Sequence, residues 1–236
     1  MSVISIARCF CGPPSSANGG YFAGRVSNLS SRMLTVRLNK PPPLETELEV
    51  AELSDGSLEV RHEGEVVAQG RPAELDLIVP APPAYVEAVE GSRHYYGFKE
   101  HAFPSCFVCG TARERGDGLR IFAGAVGEKG LVAAPWLPEP FLDRGDGKVK
   151  PEFMTAALDC PGYAAVNRGA PMLLGEITAH IDRCARIGEP CVVIGWHIST
   201  QGRRHLAGTA LFDYDGELCG RAQATWIELK DPSLFK

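Results

Sequence analysis

The sequence predicts an α+β fold in which two antiparallel sheets each wrap a central helix. Two observations carry that prediction. Most strand-like segments alternate apolar and polar residues. The order of elements in residues 1–78 also recurs, at low identity, in residues 119–236. An antiparallel sheet with one apolar face needs a cover, and one short helix per half supplies it.

In the first half, residues 1–17 form an irregular lead-in ending in GPPSSA. Asn18-Gly19-Gly20 opens a short helix of small residues, YFAGRVSNLS. Met33–Asn39 alternates Leu34, Val36 and Leu38 with Thr35 and Arg37, and Lys40-Pro41-Pro42-Pro43 stops that strand. Thr46–Leu53, Ser57–His62 and Glu65–Leu75 are the next strands, the last two joined by a hairpin turn at Glu63-Gly64. Residues 79–118 are rich in Pro, Gly and charge and read as a linker. The second half begins with a hairpin over Leu119–Pro135 that turns through Gly127–Gly130. A polar loop at 142–148 leads into a helix over Pro151–Val166. Four strands follow: Leu173–Arg183, Cys191–Thr200, His205–Tyr214 and Glu217–Leu229, with Asp215-Gly216 as the turn between the last two.

Composition narrows the function classes. The chain has 236 residues, of which 44% are hydrophobic and 22% charged, the balance of a soluble globular protein with a substantial core. Net charge is −5 and no basic run occurs, which argues against nucleic acid as a partner. No apolar run reaches the roughly 18 residues that span a bilayer, and MSVISIARCF is too short and polar for a signal peptide. A cytoplasmic location with no membrane partner is therefore expected, and the eight cysteines are expected to be reduced thiols.

The segment Pro151–Val166 draws the chemistry. Pro151 and Glu152 suit a first helical turn, and Phe153, Met154, Ala157, Leu158, Ala164 and Ala165 form an apolar face. Asp159 interrupts it. A lone acid on such a face is either a satisfied cap or turn residue or a functional group. Pro161, two residues on, either ends the helix near Asp159 or kinks it there.

CFVCG (106–110), GLRIF (118–122), the helix ending in ALD (157–159), HIDRCARIGEPCVVIGWHI (180–198) and DYDGELCGRAQATWIEL (213–229) together resemble the hotdog-fold acyl-CoA thioesterases of the phenylacetate-pathway type. NGGYFAG (18–24) and VRLNKPPPLETELEV (36–50) resemble a shorter repeat of the same fold. The resemblance implies a double hotdog paired within one chain. In such thioesterases a His-Gly-Gly or Asn-Gly-Gly turn starts the helix of one unit, and a backbone N–H there polarises the thioester carbonyl. A carboxylate nine residues further along, on the helix of the other unit, activates water or attacks.

Carried over residue by residue, the motif is split. The first helix keeps Asn18-Gly19-Gly20 but has Ser27 where the acid belongs. The second keeps Asp159 but has Lys150-Pro151-Glu152 in place of the turn. Pairing the halves is expected to make one composite site from Asp159, Asn18, Gly19 and Gly20, and to leave a second, inactive one. The expected substrate is an acyl-CoA, with CoA as part of the substrate and no separate cofactor. Arg203 and Arg204 are candidates for its phosphates, or plain solvated charges. A double hotdog of this kind can also assemble into a homodimer. The alternatives are a non-catalytic acyl-CoA or fatty-acyl binding protein and, last, a hydratase.

The remaining candidates are weaker. Asn18-Gly19-Gly20 can be a tight turn and N-cap only. Cys9-x-Cys11 and Cys106-x-x-Cys109 allow a four-thiolate zinc site, though CxC is a poor knuckle and no metal is assigned. Cys160 has no evident His partner and reads as a buried thiol. His180, His197 and His205 fall on strands and receive no role, and Arg144-Gly145-Asp146 reads as a loop.

Overall fold

A computed structural model describes residues 2–127, 130–167 and 169–231. In chain order the first half comprises β1 (Ser2–Ile4), α1 (Gly19–Ser27), β2 (Leu34–Leu38), β3 (Leu48–Glu52), β4 (Leu58–His62) and β5 (Glu65–Pro72). A helix, α2 (Tyr85–Ser92), follows. The second half comprises β6 (Gly124–Val126), β7 (Leu131–Trp136), α3 (Pro151–Ala157), α4 (Cys160–Val166), β8 (Met172–Ile181), β9 (Cys191–Gln201), β10 (Arg204–Phe212) and β11 (Leu218–Glu228). The predicted strands are present with ends shifted by up to three residues, except that the hairpin predicted from Leu119 has its first strand, β6, only from Gly124. Residues 128 and 129, in the turn predicted at Gly127–Gly130, lie outside the described residues.

The strands form one sheet in the order β1-β3-β4-β5-β2-β8-β11-β10-β9-β7-β6. Within each half the four strands after the helix take the same arrangement, β2-β5-β4-β3 in the first and β8-β11-β10-β9 in the second. The repeat read from the order of elements is thus a repeat of topology. The two sheets expected from the sequence are joined edge to edge where β2 meets β8 in antiparallel register, Val36 opposite Ile177 and Thr35 opposite Thr178. The two threonine hydroxyls lie 2.6 Å apart there. A strand edge left bare in the middle of a molecule is a liability, and this pairing removes two at once.

α1, α3 and α4 lie on one face of this sheet. α1 buries Tyr21, Phe22, Ala23 and Val26 and packs against α3, whose residues 153–157 are all buried. The approach is close because Gly20 lacks a side chain: a Cβ there would fall 2.4 Å from Asp159 Cβ. Aromatic rings tie the pair to the rest of the chain. Phe10 stacks on Tyr21 with centroids 4.2 Å apart and meets Phe107 edge-on at 5.0 Å, while Tyr21 lies 5.4 Å from Phe153.

Two sequence expectations change. The lead-in contains a strand, β1, paired with β3. The stretch 79–118 is packed structure and not an open linker. α2 puts Ala88 against Ala133, Val192, Ile194, Ala210 and Phe212 on the second sheet face, while Cys106, Phe107, Val108 and Cys109 enter the main core. That second cover explains why 191–195 reads as an unbroken apolar run. Cys191 and Val193 join one core, and Val192 and Ile194 join the other.

Candidate functional site

The helix predicted over Pro151–Val166 is two helices, and Asp159 is the joint. α3 ends at Ala157 and α4 begins at Cys160, with Pro161 in its first turn, where a missing N–H costs nothing. Pro161 therefore starts a helix and does not kink one. The break leaves carbonyls without helical partners. The Thr209 hydroxyl, buried on β10, donates to the Leu158 carbonyl at 2.7 Å.

The joint faces the start of α1. Asn18 is the N-cap: its Oδ1 accepts from the Tyr21 N–H at 2.8 Å. That bond settles which way the amide points, so Nδ2 turns to Asp159 and donates to Oδ2 at 2.8 Å. The Gly20 N–H donates to the same oxygen at 3.0 Å. The capping and functional readings of Asn18 are thus not exclusive, because one amide serves both ends.

Asp159 is 2% exposed, and its Oδ1 has no hydrogen-bond partner among the described residues. Burial pushes its carboxyl up to about 7, against the opposing pull of the Gly20 N–H and the Asn18 amide on the charged form. The residue is buried in a mostly apolar pocket of about 240 Å³ lined by both halves. Asn18, Gly19 and Leu38 come from the first, and Leu174, Tyr163 and Trp226 from the second. Gly19, half-buried, lines this pocket, and its N–H, the first of α1, has no partner among the described residues.

The site so far joins Asn18, Gly20 and Asp159 by hydrogen bonds and places Gly19 on the pocket wall. Arg203 and Arg204 lie apart, at the turn between β9 and β10. They neighbour Ile227, which also lines the pocket, and Arg203 Nη1 donates to the Glu228 carbonyl at 2.6 Å. At the opposite ends of α1 and α3, where the sequence places an inactive counterpart, Asn28 Nδ2 donates to Glu152 Oε2 at 2.9 Å.

Three thiols share the pocket. Cys106, Cys109 and Cys160 are buried with their sulfurs within 4.8 Å of one another. Hydrogen bonds from the Cys109 and Cys160 thiols hold Cys106 well below the ordinary thiol range. The cysteine grouping anticipated from spacing does not form. Cys9 is exposed, and the Cys11 thiol donates to the Ser105 carbonyl at 3.3 Å. No spacing rule links Cys160 to Cys106-x-x-Cys109, so only the fold reveals the group. His101, which the sequence reading passed over, also lines the pocket. Its Nδ1 accepts from the Phe103 N–H at 2.9 Å, which puts the proton on Nε2, 3.0 Å from the Cys109 carbonyl. His180, His197 and His205 lie away from the pocket: His180 Nδ1 is 3.2 Å from Asp182 Oδ1, and His205 Nε2 is 2.8 Å from Glu228 Oε1. His197 Nε2 is 2.8 Å from the Thr200 hydroxyl.

No family model and no curated protein matches the sequence. Solved structures do match along nearly the whole chain. A tesB protein of Mycobacterium avium subspecies paratuberculosis superimposes with a TM-score of 0.62 at 13% identity, covering 96% of this chain and 92% of that one. A candidate thioesterase of Novosphingobium aromaticivorans gives 0.61 at 15% identity over 96% and 94%. A candidate thioesterase II of Thermobifida fusca gives 0.59 at 14% identity over 97% and 92%. At such identities the likeness establishes the fold alone: a hotdog-like α+β architecture shared with these three structures. No helix among the described residues is long and apolar enough to cross a membrane.

Proposed function

We propose that this chain, whose fold is that of thioesterase-superfamily structures, is a double hotdog that hydrolyses an acyl-CoA thioester at one composite site between its halves. One observation supports this above the rest: the Asp159 carboxylate of the second half is held by Asn18 and Gly20 of the first, with Oδ1 unpaired, in an apolar pocket. Fixed hydrogen bonds on Oδ2 orient the carboxylate and leave Oδ1 to act. Oδ1 takes a proton from water as its oxygen bonds to the carbonyl carbon. Charge gathers on the carbonyl oxygen, and the Gly19 N–H at the positive end of α1 receives it. The tetrahedral species then collapses, the C–S bond breaks, and the proton on Asp159 passes to the departing thiolate.

Resemblance to the family assigns the oxyanion to an N–H of the glycine turn. Gly20 is committed to Asp159, so the role moves to Gly19. Such a donor is worth roughly 3 kcal/mol, and a positioned base roughly 10²–10⁴-fold in rate. Arg203 and Arg204, beside Ile227 at the pocket edge, are the positions for the CoA phosphates.

A second reading, acyl-CoA binding without turnover, draws on the same hydrogen bonds. The Gly20 N–H and the Asn18 amide are satisfied within the protein and do not need a substrate. An acyl-CoA panel, followed by loss of thioester absorbance, separates the two. Hydrolysis is expected, with Asp159→Asn lowering kcat by about 10²–10⁴-fold while acyl-CoA still raises the melting temperature. Asp159→Asn turnover at the wild-type rate rules out the base. Thermal stabilisation of the wild type with no turnover on any substrate selects the binding reading.

A further inference from the structure

We propose that Cys106, Cys109 and Cys160 form a binding site for one zinc ion on the wall of the pocket, a site that stands whether or not the pocket hydrolyses thioesters. Three features of the chain support it.

The first is the ligand set. Three sulfurs lie within 4.8 Å of one another, and Cys106 Sγ to Cys160 Sγ is 3.8 Å. Tetrahedral zinc with zinc–sulfur bonds of about 2.3 Å separates its thiolates by roughly 3.8 Å, so this pair needs no rearrangement. Thiolate sets of this kind select soft, four-coordinate ions over magnesium or calcium.

The second is the loop. The Gly110 N–H donates to the Cys106 carbonyl at 2.9 Å and closes the turn that carries Cys106 and Cys109. This is a tight turn that aims two cysteine side chains at one point. It requires glycine at 110, where a Cβ would sit 2.4 Å from the Cys106 carbonyl oxygen and 2.5 Å from that of Pro104.

The third is the surrounding support. Metal-bound cysteines are held by outer hydrogen bonds, and those bonds are present here. The Asn18 amide lies 3.9 Å from Cys106 Sγ, and His101 Nε2 steadies the Cys109 carbonyl. Asn18 would therefore serve the metal and Asp159 together. All three cysteines line the pocket, so the fourth coordination position opens into it and takes water or a soft ligand from solution. On binding, the thiols that still carry a proton give it up to solvent, and no oxidant or reductant takes part.

The test is a titration of chelator-treated, fully reduced wild-type protein with cobalt(II) alone, then zinc(II). The expected result is about one equivalent of cobalt bound, with thiolate-to-metal charge-transfer absorption and tetrahedral ligand-field bands, both removed by about one equivalent of zinc. Cys160→Ser should weaken zinc binding by more than about 100-fold, beyond what loss of an outer hydrogen bond produces. Cys191→Ser, outside the pocket, should bind as the wild type does. Wild-type protein that binds no stoichiometric cobalt or zinc overturns the proposal without any variant. So does Cys160→Ser binding zinc as tightly as wild type. If Cys160→Ser does not fold, Cys109→Ser replaces it under the same two outcomes.

Discussion

Asp159 shows how a residue can be read from sequence while its state cannot. A lone acid in an apolar segment is visible in the string of letters, and so is a nearby Asn-Gly-Gly. What sets the proton on Asp159 is the contest between burial and two hydrogen bonds, and burial prevails. Its folded pKa, about 7, lies above the ordinary 3.8 of an unfolded chain. Between those values the folded state holds a proton that the unfolded state has released, so stability falls as pH rises from about 4 to about 7 and levels off beyond. The loss attributable to this group is on the order of 4 kcal/mol. Urea denaturation of the metal-free protein at about pH 4.5 and about pH 7.5, roughly the ends of that window, should show it, and Asp159→Asn should remove most of the slope. An equal slope in the variant would assign the effect to other groups. Cys160, one residue on, teaches the converse. Nothing in its neighbourhood along the chain marks it, because its partners are about fifty residues upstream and meet it only in the fold.

Among the elements, the α3–α4 pair carries the consequence. The apolar face of 151–166 is interrupted by Asp159, and Pro161 marks either an end or a kink of the helix there. The interruption is stable because a strand residue completes it: Thr209 is fully buried and gives its hydroxyl to the Leu158 carbonyl. Thr209→Val keeps the shape and removes the donor. It should destabilise the protein by about 1–3 kcal/mol, the cost of a buried unpaired carbonyl, measured as a lower urea midpoint with an unchanged m-value. A midpoint equal to wild type would show that the joint does not depend on this cap. α2 was illegible for a different reason. Tyr85–Ser92 is short and sits among prolines, so local pattern argues for a loop, and only the second apolar face of the sheet explains why it folds.

For the whole molecule, the seam decides behaviour. β2 pairs with β8, α1 packs on α3, and the pocket takes residues from both halves. Separating the halves would bare two strand edges and the buried faces of two helices. Unfolding is therefore expected to be one cooperative transition. The three tryptophans, at 136, 196 and 226, all lie in the second half, so their fluorescence reports that half while far-ultraviolet circular dichroism reports the whole chain. The two denaturation curves should coincide. A dichroism transition that precedes the fluorescence transition would mean that the first half unfolds independently.

By itself the sequence determined the class of the fold, the strands other than β1, the doubled order of elements and the residues worth suspecting. Those follow from local periodicity and turn chemistry, which act over a few residues and are written in their order. The tertiary structure alone decided that the two sheets are one, that 79–118 is packed, that the Gly20 N–H is bound to Asp159 while the Gly19 N–H has no partner among the described residues, and that Cys160 joins Cys106 and Cys109. Each of these depends on which distant groups share a hydrogen bond or a van der Waals contact. Burial and pairing over more than fifty residues of chain are properties of the folded arrangement, and no local pattern encodes them.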